Sequence, residues 1–422
     1  MFELSRHFRK AAPVTLALAL VLAACSTKAD NAGSSGSDSS GVKTDKGVTA
    51  SEITLGVMTD KTGVFKNLGL GITQGNELWA KDFNDAGGVC GRKVKLEQVD
   101  HGYKADTAKT LYPQLEPKVL GMVQLLGSPV VAALKQNLLS DKLTSAPASW
   151  SSELLDNPYV MIVGTTYDLE IIDGLSYLQE QGLIKDGDTI GHVYIDGEYG
   201  KNGLRGSQFY AKKHNLTLKE VKITSTDTDL ANIVTGLKGD AVKSIVLTTT
   251  PAQTGSALAS NKALGLNVPV LGNNPTFDPA LLTSPAAASL DKLTVVASSV
   301  PFSADIPKAK DVAAKYKATY KETPNGGTPY GYAVGEVWGA VLKKACENKD
   351  LTRDGIQAAL KQTSSASTED LVAALDFSKP GTPPTRQVYA AQPDPTSEGG
   401  LKYVKQLFEA AEAREYVAPF QK

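Results

Sequence analysis

Few side chains in this sequence stand where a reaction would need them. Asp196 and Glu198 lie two positions apart, but such a pair in a loop is ordinarily just solvated. There is no Gly-x-Ser-x-Gly elbow, no His-Glu-x-x-His helix and no phosphate loop. Gly69-Leu70-Gly71 with Gly75 imitates a dinucleotide fingerprint, yet it lies well downstream of Val57, whereas a true fingerprint opens directly from its strand. His101, His192 and His214 have no ligand spacing with a cysteine, so no metal site and no cofactor are expected. What remains is the chemistry of capture. Gly127-Ser128 follows a strand-like run and precedes a helical one, and backbone N–H groups beside a serine hydroxyl suit a carboxylate. A plain helix N-cap needs the same serine, so the residues alone leave both roles open. Phe65, His101, Tyr103, Tyr167 and Tyr330 fall beside expected strand ends or crossings, where they would line a pocket or simply pack. The loop from Asp60 to Leu68 leaves the first strand at its carboxyl end and is expected to line a cleft.

The thiols report on compartment. Arg6, Arg9 and Lys10 precede the apolar run Ala11–Val21, which is too short for a stable membrane span. Leu22-Ala23-Ala24-Cys25 follows and matches a lipobox, in which cleavage leaves a diacylated Cys25 as the new N-terminus. Residues 1–24 are therefore expected to be a signal peptide. Ser26 to Asp45 is rich in Gly and Ser and too polar to fold alone, so residues 25–50 are expected to be anchor and flexible linker. Such a chain of about 20 residues reaches roughly 25 Å. Only Cys90 and Cys346 then remain. In an exported protein the pair suggests a disulfide, with two free thiols as the alternative.

Composition narrows the class further. The 44 basic and 45 acidic residues nearly cancel and are interspersed, which argues against nucleic acid as a partner. The length beyond the linker accommodates two domains. From Ile53 onward, strand-like runs alternate with helical ones. Strands are expected at Ile53–Val57, Val94–Val99, Leu120–Leu126, Tyr159–Val163, Ile190–Ile195, Leu216–Ile223, Ser244–Thr248 and Leu293–Ala297. Helices are expected over Ile72–Phe83, stopped by Gly87-Gly88, and over Val130–Leu139, Leu169–Gln181, Leu204–His214, Leu230–Leu237 and Thr254–Leu264. Ala309–Tyr320, Gly331–Cys346 and Arg353–Lys361 form a helical last third, followed by short strands at Gln387–Ala391 and Leu401–Leu407. Such alternation predicts an α/β protein of two Rossmann-like, doubly wound lobes with ligand crevices at the strands' carboxyl ends.

Ile53-Thr-Leu-Gly-Val57, Thr62-Gly63, Gly75-Asn-Glu-Leu78, Phe83-Asn-Asp-Ala-Gly-Gly-Val89 and Gly91-Arg-Lys93 together resemble the N-terminal signature of the leucine/isoleucine/valine-binding proteins. The resemblance continues through Gly127-Ser128, Pro147-Ala-Ser149, Glu198-Tyr-Gly200, Gly203, Gly255 and Leu271-Gly-Asn-Asn274, covering nearly everything after residue 50. These are type I periplasmic binding proteins of ABC importers. The resemblance implies two lobes joined by three crossover strands, near Val163–Tyr167, Ala297–Phe302 and Ala373–Asp376. Lobe 1 would comprise 51–165 plus 301–375, holding both Cys90 and Cys346, and lobe 2 would comprise 166–300 plus 376–422.

It also implies site roles. Ser128 would take a ligand carboxylate. Ser149-Trp150 occupies a stretch that in relatives offers a carbonyl and a threonine hydroxyl, with Trp150 replacing that threonine. Tyr199 would line the lobe 2 side. Thr250 and Asn274 stand where relatives place an aromatic residue and the glutamate that binds an α-ammonium. Asn274 supplies no counter-charge, so Asp60, Asp100 or Glu198 would have to replace it for an amino acid ligand. Without one, the pocket suits an uncharged amide-like, hydroxylated or aromatic ligand better than the branched-chain amino acid of the family default. The expected function is ligand capture without catalysis, as a monomer held at the outer face of the membrane by Cys25 and docking to permease subunits. A ligand sensor signalling to a membrane receptor is the alternative.

Overall fold

The computed structural model describes residues 41–421 and the backbone of Gly36–Ser37; the segment expected to be a signal peptide and the expected lipid anchor Cys25 lie outside the described residues. Two parallel sheets organise the chain. The first is ordered β2-β1-β3-β4, from β1 (Glu52–Thr59), β2 (Lys93–Asp100), β3 (Gly121–Leu126) and β4 (Ser145–Ala148). β1 pairs with β2 from Glu52↔Lys93 to Thr59↔Asp100, and β3 is buried at every position, as a strand covered on both faces should be. Helices α1 (Lys66–Asp85), α2 (Ala105–Leu115) and α3 (Ser128–Ser140) connect these strands.

The second sheet begins after α4 (Tyr167–Glu180). Its strands are β5 (Thr189–Ile195), β6 (Thr217–Ile223), β7 (Ser244–Thr248), β8 (Val270–Asn273), β9 (Leu293–Ala297), β10 (Val388–Pro393) and β11 (Leu401–Phe408), in the order β11-β10-β9-β8-β7-β5-β6. The first five are parallel, whereas β10 runs antiparallel to β9, with Ala297 opposite Tyr389. Helices α5 (Glu198–Lys213), α6 (Ala231–Gly239) and α7 (Pro251–Ala263) lie between the parallel strands.

After β9 the chain returns to the first sheet to form α8 (Pro307–Thr319), α9 (Gly327–Glu347) and α10 (Arg353–Lys361). It then leaves again for β10 and β11, and ends on α11 (Ala411–Glu415). α9 packs along α1, burying Trp79 and Trp338. Cys90 and Cys346 are bonded near the ends of that helix pair, their Cα atoms 5.9 Å apart. In the chain-entropy model so long a closed loop contributes about 5 kcal/mol before strain.

Two expectations need correction. The linker does not extend to residue 50: Val42 is buried, Lys43–Thr44 pairs with Asp350–Leu351, and Lys46 reaches Glu116 at 2.8 Å. An apolar Val42 beside an open strand edge is enough to dock the segment. The strand expected over Tyr159–Val163 is a single bridge from Val160 to Ser145. Pro158 brings no backbone donor, and Gly164 at φ +120° turns the chain toward α4.

Candidate functional site

The carboxyl ends of β3 and β4 meet the N-termini of α4 and α5 around a small, narrow cavity. Gly127 turns the chain from β3 into α3 at φ +102°, and a Cβ there would stand 2.7 Å from the Tyr103 ring, so both the backbone and the wall require glycine. Ser128 is the first helical residue rather than the cap. Pro129 has no N–H, and Val130 and Val131 both donate to the Gly127 carbonyl. The first turn of α3 therefore offers fewer backbone donors than its position suggests, and the Ser128 hydroxyl carries more of the polar contact. That hydroxyl lies 2.7 Å from the Ser149 hydroxyl, both groups buried.

The other walls are aromatic. Phe65 and Tyr103 sit with ring centroids 4.8 Å apart, and Tyr167 and Tyr199 at 4.7 Å. Trp150 is almost fully buried, donates its indole N–H to the Val163 carbonyl at 3.0 Å, and takes Tyr167 and Tyr330 edge-on. Trp150 therefore stands at the centre of the site, not at the lobe edge. Burial pushes the phenols of Tyr103, Tyr167 and Tyr199 well above their ordinary range, so all three stay neutral.

Three carboxylates were candidates to face an ammonium, and none lines this cavity. Asp60 accepts the backbone N–H groups of Thr62, Gly63 and Phe65, fixing the loop that presents Phe65. Asp100 accepts from Lys61, Gly102 and the Thr62 hydroxyl. Glu198 opens α5 beside the cavity, close to Ser151 and Glu153. Desolvation, with Glu153 adding, pushes it up to about 7, while Ser151, Lys135 and Arg205 pull the other way.

Two expected ligand residues stand elsewhere. Thr250 is the N-cap of α7 and spends its hydroxyl on the Gln253 N–H, a role that its position before Pro251 and Gln253 already favours. Asn274 lies on the far side of Trp150, in a second crevice. Its neighbour Asn273, which sequence reasoning missed, does the orienting: its Oδ1 accepts from the Tyr199 hydroxyl at 2.9 Å while its Nδ2 donates to Glu170 at 3.2 Å. Glu170 is fully buried behind Tyr199, and desolvation raises its carboxyl well above the ordinary carboxylate range, against hydrogen bonds from Asn273 and the backbone of Asn274 and Ser298. His101 accepts the Tyr103 N–H and supports that wall from behind. His192 is a core residue between Ser207 and Thr248, pushed down to about 3 by burial.

Residues 52–400 match the family model described as periplasmic binding protein. The chain belongs to the periplasmic binding protein family. Members work outside the cytoplasm and bind solutes rather than transform them, and among the described residues no helix is long and apolar enough to cross a membrane. This periplasmic binding protein is similar to a solved fatty acid ABC transporter substrate-binding protein from Thermomonospora curvata. The two are 37% identical over 92% of this chain and 100% of that one, with a TM-score of 0.88. A branched chain amino acid ABC transporter protein from Thermus thermophilus, with bound valine, shares the fold at 18% identity, covering 87% and 99% of the two chains with a TM-score of 0.77. A leucine binding protein from Thermotoga maritima does so at 15% identity, 85% and 99% coverage and a TM-score of 0.70. A search of curated proteins finds no match.

Proposed function

We propose that this protein is the substrate-binding lipoprotein of an ABC importer and that its ligand is a small organic acid with an apolar body. The observation that carries the reading is the cavity wall: the hydroxyl of Ser128, which buried Ser149 bonds, at one end, aromatic and aliphatic side chains around most of the rest, and no carboxylate for an ammonium. An unpaired buried ammonium would be costly, whereas a carboxylate finds the Ser128 hydroxyl and the positive end of α3. The similarity to a fatty acid-binding relative supports the same class. Ligand held by the first lobe would draw in the second, since closure is favoured only by contacts made in the closed state. A permease would then accept the closed form. The test is a thermal-shift and calorimetry panel of n-alkanoates and aromatic acids against leucine, isoleucine and valine. Acids should raise Tm and bind, because a ligand specific to the folded state stabilises it. Micromolar binding of any of the three amino acids, with no acid binding, overturns the reading.

A further inference from the structure

We infer that a second chamber, behind Trp150, receives the hydrocarbon chain of the ligand and sets the longest chain the protein accepts. The inference rests on the proposed acid-binding reading and extends it. The crevice is continuous with the hydroxyl-bearing cavity in its walls: Leu68, Trp150 and Pro275 line both. It is a crevice open to solvent, set between the ends of β9 and β10, the loop after β8 and the start of α9.

The walls are chemically suited to hydrocarbon. Phe277, Val295, Ala297, Val300 and Leu401 give them aliphatic and aromatic surface. Most polar side chains bordering the crevice are already committed within the protein. Tyr330 donates to the Pro147 carbonyl, Tyr389 to that of Asp370, and Trp150 to that of Val163. Asn325 uses its amide on Asn67 and Gly327. Asn274, Ser299 and the outer Asp278, which accepts the Ala280 N–H with one oxygen, are the exceptions. A polar ligand would find few free partners here, whereas a methylene chain needs none and gains by leaving water. The crevice continues outward past Asp278, Pro279 and Asn325, which it shares with an open surface groove. The carboxylate end belongs with Ser128, and Trp150, which lines both spaces, stands between that end and the chamber.

The experiment is a calorimetric series of saturated n-alkanoates from butanoate to hexadecanoate, against wild type, Ala297→Phe and Leu401→Trp. Both positions are only half-buried, so the added bulk enters the crevice, and thermal unfolding checks that each variant folds. Wild-type affinity should rise about fourfold per added CH₂, as burial of each methylene predicts, until the chamber is full. In the variants the rise should stop at a shorter chain. An equal rise with equal cutoff in wild type and both variants places the chain elsewhere and overturns the chamber. Failure of every acid to bind wild type overturns the acid reading itself, and the chamber falls with it.

Discussion

Ser128 lines a cavity walled largely by rings, and its hydroxyl is bonded to that of buried Ser149, yet it still has capacity to serve a ligand: a hydroxyl brings one donor and two acceptor sites. Binding an acid requires the Ser128 hydroxyl to rotate and donate to it. Hydrogen bonds to a charged group contribute about 1.5–3 kcal/mol, so Ser128→Ala should weaken carboxylate binding roughly 10- to 100-fold and leave the corresponding uncharged methyl ester less affected. Titration calorimetry on both ligands reads the difference, and equal losses for acid and ester would remove Ser128 from the carboxylate site. Tyr199 acts differently. Its hydroxyl is already committed to Asn273, which is in turn bonded to buried Glu170, so it contributes a rigid ring face rather than a polar hand.

At the scale of elements, the seam between the loop after β4 and the start of α5 is where the two halves grip each other. Arg205 meets Glu153 at 2.6 Å across it, and Asn202 and Asp168 both bond the Ser152 hydroxyl. Glu198 is enclosed in the same seam, facing Glu153 and Ser151 from the loop, Lys135 from α3, Arg205 on its own helix, and Tyr103 and Tyr167 from the cavity. An acid raised from its ordinary 4.5 to about 7 takes up a proton when it is enclosed. The closed form is thus unpenalised below about pH 4.5 and progressively disfavoured as pH rises toward 7. Ligand affinity should fall across that window, by at most about tenfold per pH unit, one proton's worth. Glu198→Gln should flatten the profile; an unchanged profile in the variant rules the seam out as its origin. Much of this element framework was legible in the sequence, because buried parallel strands are continuous apolar runs and glycine pairs end helices. α1 nevertheless begins at Lys66 rather than Ile72, since Gly69 and Gly71 read as loop. Gly71, and Gly75 further along the helix, sit where a Cβ would come within 2.3 Å of Asn325 before α9 or Thr328 in it. α2 was missed behind its internal Pro113. Ser128, Ser149, Trp150 and Tyr199 could be found from strand-end motifs. The second chamber could not, because its walls come from β9, β10 and β11 and from loops that only the tertiary fold brings together.

For the whole molecule, the attachments fall on one side. The Cys90–Cys346 bond joins elements of the first lobe, and the N-terminal segment docks on that lobe through Val42 and the pairing of Lys43–Thr44 with Asp350–Leu351. No disulfide within the described residues crosses to the second sheet, which is tied to the first by the chain passages and by the polar seam described above. A lipid on Cys25 would therefore hold the first lobe at the membrane and leave the second lobe to close over the ligand. Attachment and capture are then separable. Cys25→Ser should move the protein from the membrane fraction to the soluble fraction while its alkanoate affinity stays within about twofold of the wild type, because nothing on the described docking path from Val42 to Lys46 reaches either chamber. Fractionation and calorimetry on the same preparation check both halves. Retention of the variant in the membrane fraction would show that Cys25 is not the anchor, and a large loss of affinity in the released protein would show that anchor and cleft are coupled.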